Sequence, residues 1–90
     1  MSTRLAATVC VPVDARSRAE LLSYRDRGPL LTIRAGRPPL LVILTVPEQV
    51  TAGHVDFARQ LAQSATAYAV EVERRFRGLP RLADTTKEVA

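Results

Sequence analysis

The 90-residue sequence predicts an α+β fold of order β-α-β-β-α, a small sheet covered by a long C-terminal helix and paired into a dimer. Three observations carry that expectation. Two apolar arms, residues 30–33 and 40–46, flank a short Gly-Pro connection, the pattern of a β-hairpin. Residues 54–77 keep helical apolar spacing and run into Gly78 and Pro80, two stop signals. The second hairpin arm is apolar on both faces, as in a central strand covered from both sides, and a short chain has little material for that cover.

The elements follow in order. Leu5, Ala7, Val9, Val11 and Val13 alternate with Ala6, Thr8, Cys10 and Pro12, so residues 5–13 read as a strand, with Pro12 at an edge or end. Cys10, alone in this run, reads as a small buried hydrophobe. Asp14 then fits a helix N-cap, and Ser17-Arg18-Ala19-Glu20 fits a capping box. That helix would continue to about Arg27, where Gly28 and Pro29 end it. The hairpin comes next, with Arg34-Ala35-Gly36-Arg37 at its tip. Asp56 in the first turn of the last helix and Arg74, Arg75 and Arg77 in its last turn would complement the helix dipole. Residues 1–78 form one domain in this reading, and 79–90 a flexible tail.

The last helix also predicts self-association. At 1.5 Å per residue it would be about 36 Å long, whereas a five- or six-residue strand spans only ~17–20 Å. Phe57, Leu61, Ala65, Tyr68, Val72 and Phe76 form a bulky stripe. Val55, Ala58, Ala62, Ala65, Ala69, Val72 and Phe76 form a second, mostly small-residue seam at 3-4 spacing. One face suits a sheet; the other lets a second helix come close, which marks this seam as the dimer or partner interface.

Composition narrows the function. The formal net charge is +4. Residues 1–37 hold Arg4, Arg16, Arg18, Arg25, Arg27, Arg34 and Arg37 against Asp14, Glu20 and Asp26, so the whole excess lies in that half. Such asymmetry favours an anionic partner there, with duplex DNA as one candidate, and it reads equally as an arginine-rich surface that simply keeps a small dimer soluble. One cysteine and one histidine exclude a zinc site built from several such ligands. No phosphate-binding loop or dinucleotide fingerprint occurs, and no cofactor is expected. His54 has no partnered nucleophile and reads as a surface residue, while Glu71 and Glu73 point to different helix faces; no enzyme activity is expected. With four aromatic residues (Tyr24, Phe57, Tyr68, Phe76), three of them fitting helix packing, single-stranded nucleic acid read by stacking is disfavoured. No signal-peptide core or membrane-length apolar run is present, so a cytoplasmic location without a membrane partner is expected.

The run V-D-A-R-S-R-A-E-L-L, a glycine at 28, and then L-L-T-I-R-A-G-R-P-P-L-L-V-I-L resembles the N-terminal domain of Phd/YefM-type antitoxins. The resemblance covers residues 13–46. It implies a dimerising β-α-β-β core that binds operator DNA through basic residues, and a C-terminal segment that neutralises a toxin. Carried onto this sequence, the DNA-facing residues are Arg16 and Arg18 on the first helix and Arg34 and Arg37 at the turn. The segment after Val50 would hold the toxin-binding surface. Residues 40–76 also look like the closing strand and helix of GAF or roadblock-type modules, which use that helix in dimers. That second likeness implies a reduced, non-catalytic dimerisation or accessory module.

Overall fold

The computed structural model describes residues 5–82. It contains three strands and one helix in the order β1 (Arg18–Leu22), β2 (Leu30–Ala35), β3 (Leu40–Leu44) and α1 (Ala52–Phe76). The fold is α+β, but the order is β-β-β-α. The chain divides into two compact units, Met1–Gln49 with the sheet and Val50–Ala90 with the helix.

The hairpin forms where the apolar arms place it. β2 and β3 pair antiparallel, with Ala35 opposite Leu40 and Leu31 opposite Leu44. Residues 36–39 make the connection, and the Arg37–Pro38 peptide bond is cis. Gly36 has φ +97°, a conformation that side-chain-bearing residues rarely adopt. A Cβ there would also stand 2.9 Å from Val11 Cγ1, so the segment ahead of the sheet closes against this loop.

Two elements differ from expectation. Residues 5–13 make no strand, and Leu5, Val9 and Val13 are exposed. Alternation suits a strand, but a ladder also needs a paired edge, and Pro12 offers no N–H to one. Cys10 is consequently an exposed free thiol rather than a buried hydrophobe. The expected helix after Asp14 is instead a turn followed by β1. The Ser17 N–H donates to the Asp14 carbonyl at 3.0 Å, and the Arg16 N–H donates to Asp14 Oδ1 at 2.8 Å. Asp and Ser oxygens accept backbone N–H groups in turns as readily as at helix caps, so the cap signal served a turn. Arg18 to Leu21 alternates polar and apolar, and Arg18–Leu22 pairs with β2 along its whole length. Tertiary pairing settled the choice.

The strand order β1-β2-β3 makes β2 the central strand. β3, whose two apolar faces suggested a central position, is an edge strand. Residues opposite one another share a face. Ala19, Leu21, Leu31, Ile33, Ala35, Leu40, Val42 and Leu44 therefore line one wholly apolar face, while Arg18, Glu20, Thr32 and Arg34 lie on the other among Leu22, Leu30, Leu41 and Ile43. Among the described residues only Ala35 is buried, at 7% exposure. Between β1 and β2 the chain turns past Gly28, whose absent Cβ would come 2.7 Å from Val46 Cγ2. A side chain there would force Val46 to shift. Arg27 stacks over the Tyr24 ring at 4.2 Å in the same connection.

α1 spans 25 residues, about 37 Å at 1.5 Å per residue. Thr51 is its N-cap, and Gly53 continues the helix without a break. The N-terminal turn carries no acidic residue, because the helix starts at Ala52 and Asp56 falls beyond that turn. Its end follows the expected signals. Gly78 adopts φ +72°, its N–H donates to the Arg75 carbonyl at 3.1 Å, and the Leu79 N–H donates to the Arg74 carbonyl at 2.8 Å. This double closure is a Schellman motif. Beyond it, Arg74 Nε donates to the Pro80 carbonyl at 2.8 Å and the Leu82 N–H to Glu71 Oε2 at 3.1 Å. Of the expected tail, residues 83–90 lie outside the described residues.

Candidate functional site

Of the seven arginines in residues 1–37, the four that the family resemblance marks, Arg16, Arg18, Arg34 and Arg37, lie at one end of the sheet unit. The Asp14–Ser17 turn presents Arg16, β1 begins with Arg18, β2 carries Arg34 in its last turn of pleat, and the connection to β3 carries Arg37. Arg34 thus lies within a strand, not at the hairpin tip, and neither Arg16 nor Arg18 stands on a helix. Strand register does the gathering. Arg18 is directly opposite Arg34, so the two share one face of the sheet. Arg16, Arg34 and Arg37, with Asp14, Ser17 and Gly36, line a cavity of about 430 Å³ between the turn and the connection. Arg18 and Arg34 line a second concavity of about 280 Å³ on the polar sheet face.

The local bonding is uneven. Arg18 Nη1 donates to the Ser17 carbonyl at 2.8 Å and to the Ala15 carbonyl at 3.1 Å, which holds its head against the turn. Arg37 Nε stands 3.6 Å from Asp14 Oδ2. Both partners are exposed, and such a pair contributes ~1 kcal/mol at most. The Asp14 carboxylate therefore has two tasks: Oδ1 orders the turn and Oδ2 faces Arg37. Among the described residues, the guanidinium groups of Arg16 and Arg34 have no hydrogen-bond or ion-pair partner. Like charges directly opposite on a sheet face are unfavourable. Two unpaired cations and one weakly held cation around a cavity make a receptive place for an anion. Asp14, counted in the charge balance but read as a helix cap, is the acidic member of this cluster, because its turn chemistry serves either structure.

The helix residues Val55, Ala58, Ala62, Ala65, Ala69, Val72 and Phe76 all lie on α1, and all are exposed, Phe76 at 89%. At 100° per residue they fall within an arc of roughly 100°, and Phe57, Leu61 and Tyr68 extend it on one side. No residue of α1 is buried. His54 is half-buried at the helix entry, where its Nδ1 accepts the Thr51 N–H at 2.8 Å and stands 3.1 Å from the Thr51 hydroxyl. Its place is in the helix cap. Near the other end, Tyr68, Glu71, Val72, Arg75, Leu79 and Arg81 line a cavity of about 370 Å³.

Among the described residues no group of three or more His, Cys, Asp or Glu side chains could hold a metal ion. No helix there is long and apolar enough to cross a membrane. No protein-family model, curated protein or solved structure matches the chain.

Proposed function

We propose that this protein is a DNA-binding, antitoxin-like autoregulator that works as a dimer, gripping duplex DNA with the arginine end of its sheet unit. The observation carrying this reading is the convergence of Arg16, Arg34 and Arg37 on one cavity, with Arg18 beside Arg34 in the strand register. Phosphates are the anions that clustered guanidinium groups bind best, often two-pronged. Contacts of this kind fix a protein on the duplex, and sequence is read separately at base edges. Two copies would duplicate the cluster for two half-sites. The resemblance to Phd/YefM-type antitoxins supports the hairpin part, T-I-R-A-G-R-P, whereas Arg18–Leu22 is a strand where that family has a helix.

A second reading has its own observation. The apolar arc of α1 has no buried residue. An amphipathic helix gains its stability mainly by burying that face. A non-catalytic dimerisation or accessory module, binding a second copy or another protein through Val55, Ala65 and Phe76, accounts for the arc without nucleic acid.

Fluorescence anisotropy with the duplex upstream of the protein's own gene separates the two. A regulator loses affinity steeply as salt rises, and the Arg34→Ala, Arg37→Ala double variant lowers the log–log salt slope by about 2 if each arginine neutralises one phosphate. Absence of binding at low salt rejects the DNA reading and leaves the accessory module.

A further inference from the structure

We propose that the cavity between the Asp14–Ser17 turn and the 36–39 connection is a seat for one phosphate group, and that the Asp14 carboxylate is its resident stand-in. The inference rests on the arginine end being an anion-binding surface, and it adds which atoms take the anion and what must leave. Arg34 and Arg16 line the cavity, and their guanidinium groups have no partner among the described residues, while Arg37 is occupied by Asp14 Oδ2 at 3.6 Å. A phosphate engaging Arg37 meets that carboxylate as a competitor of the same sign. The volume, about 430 Å³, falls within the range of small-ligand sites.

Asp14 is suited to exchange. Its turn-forming contact uses Oδ1, which accepts the Arg16 N–H at 2.8 Å, and its backbone N–H donates to Ser17 Oγ at 3.0 Å. Neither contact depends on the charge of Oδ2. The turn therefore persists when Arg37 is drawn to another anion. Asp14→Asn keeps the Oδ1 acceptor and removes the competing charge, so it opens the seat without removing the turn. The phosphate can come from a DNA backbone or from a free phosphorylated small molecule, since both offer the same oxygens.

The test follows the arginine Nε–Hε NMR signals of the 15N-labelled full chain during titration with inorganic phosphate, and separately with a DNA duplex. The expected result is movement of the Arg34 and Arg37 signals with phosphate, and about fivefold tighter phosphate binding by Asp14→Asn, the scale of one charge removed at ~4 Å in water. Arg34→Gln, with Asp14 intact, should abolish the phosphate response and serves as the second variant if Asp14→Asn fails to fold. Response to phosphate and duplex together supports the seat and a backbone source. Response to phosphate alone supports the seat, assigns it to a free phosphorylated molecule, and overturns DNA binding. Duplex binding with no Arg34 or Arg37 response to phosphate, or with Asp14→Asn unchanged, overturns the seat and leaves DNA binding in place. Silence toward both overturns both.

Discussion

Replacing Arg34 by glutamine should strengthen the sheet while weakening anion capture. Arg34 faces Arg18 directly across β1 and β2. Two unit charges about 6 Å apart in water repel by ~0.7 kcal/mol, in line with the destabilisation that like charges directly opposite on a sheet face cause. Glutamine keeps part of the aliphatic stem and a polar end but removes the charge. Arg18 is the less suitable partner to change, because its Nη1 also bonds the Ala15 and Ser17 carbonyls. A gain of ~0.5 kcal/mol corresponds to a melting temperature raised by about 2–4 °C in a domain of this size. Circular dichroism at fixed protein concentration reads that shift, since any self-association makes Tm concentration-dependent. Near 1 M salt the Debye length shrinks to about 3 Å and the gain should vanish. An unchanged or lowered Tm at low salt refutes the repulsion. A gain that survives high salt assigns the effect to packing instead.

Two further outcomes follow from the backbone and the helix. Gly36→Ala and Gly78→Ala both force a side chain into positive φ, at about 1 kcal/mol each, but only Gly36 also meets Val11 Cγ1 at 2.9 Å. Urea unfolding should find Gly36→Ala costlier by about 1–2 kcal/mol, and Val11→Ala in that background should recover part of it; equal costs for the two glycines would count against the contact. Ala65→Glu sets a charge in the middle of the exposed helix seam. Sedimentation velocity should then show a dimer of the wild-type chain turning into a monomer, and a variant dimer that persists places the interface elsewhere.

Much of the fold was legible where local signals and pairing agree. The hairpin arms carry their own partner four residues away, so the apolar runs at Leu30 and Leu40 specify each other. The last helix has period and stop in agreement, and Gly78 ends it as its position implies, whereas its start at Ala52 behind the Thr51 cap lies ahead of the expected His54. The first third of the chain was not legible, because its signals are shared between alternatives. Asp14 and Ser17 serve a turn with the same oxygens that would cap a helix, and R-A-E-L-L suits a strand once β2 is beside it. Alternation over Leu5 to Val13 had no edge to pair with. For the site, composition pointed only to an arginine-rich first half and the family resemblance to Arg16, Arg18, Arg34 and Arg37, but their convergence depends on a register that only the folded β1–β2 pair defines. The close approaches of Gly28 to Val46 and of Gly36 to Val11 have no sequence signature beyond the glycine itself.

The position of β3 at the edge of its sheet has a consequence for solubility. Leu40–Leu44 is five apolar residues without a charge, and no described strand pairs with its outer side. Such a segment is a template for adding a foreign strand, the first step toward fibrous aggregates. β1, at the opposite edge, is guarded by Arg18 and Glu20. β3 is guarded at its ends, where Pro38 and Pro39 precede it and Pro47 follows. Prolines cannot donate to a ladder, so an intruding strand finds at most the seven residues 40–46 to zip along before it is stopped. The proline pair of the connection thus acts as a gatekeeper, which makes Pro39 and Pro47 the positions where a mutation would first be felt as loss of solubility.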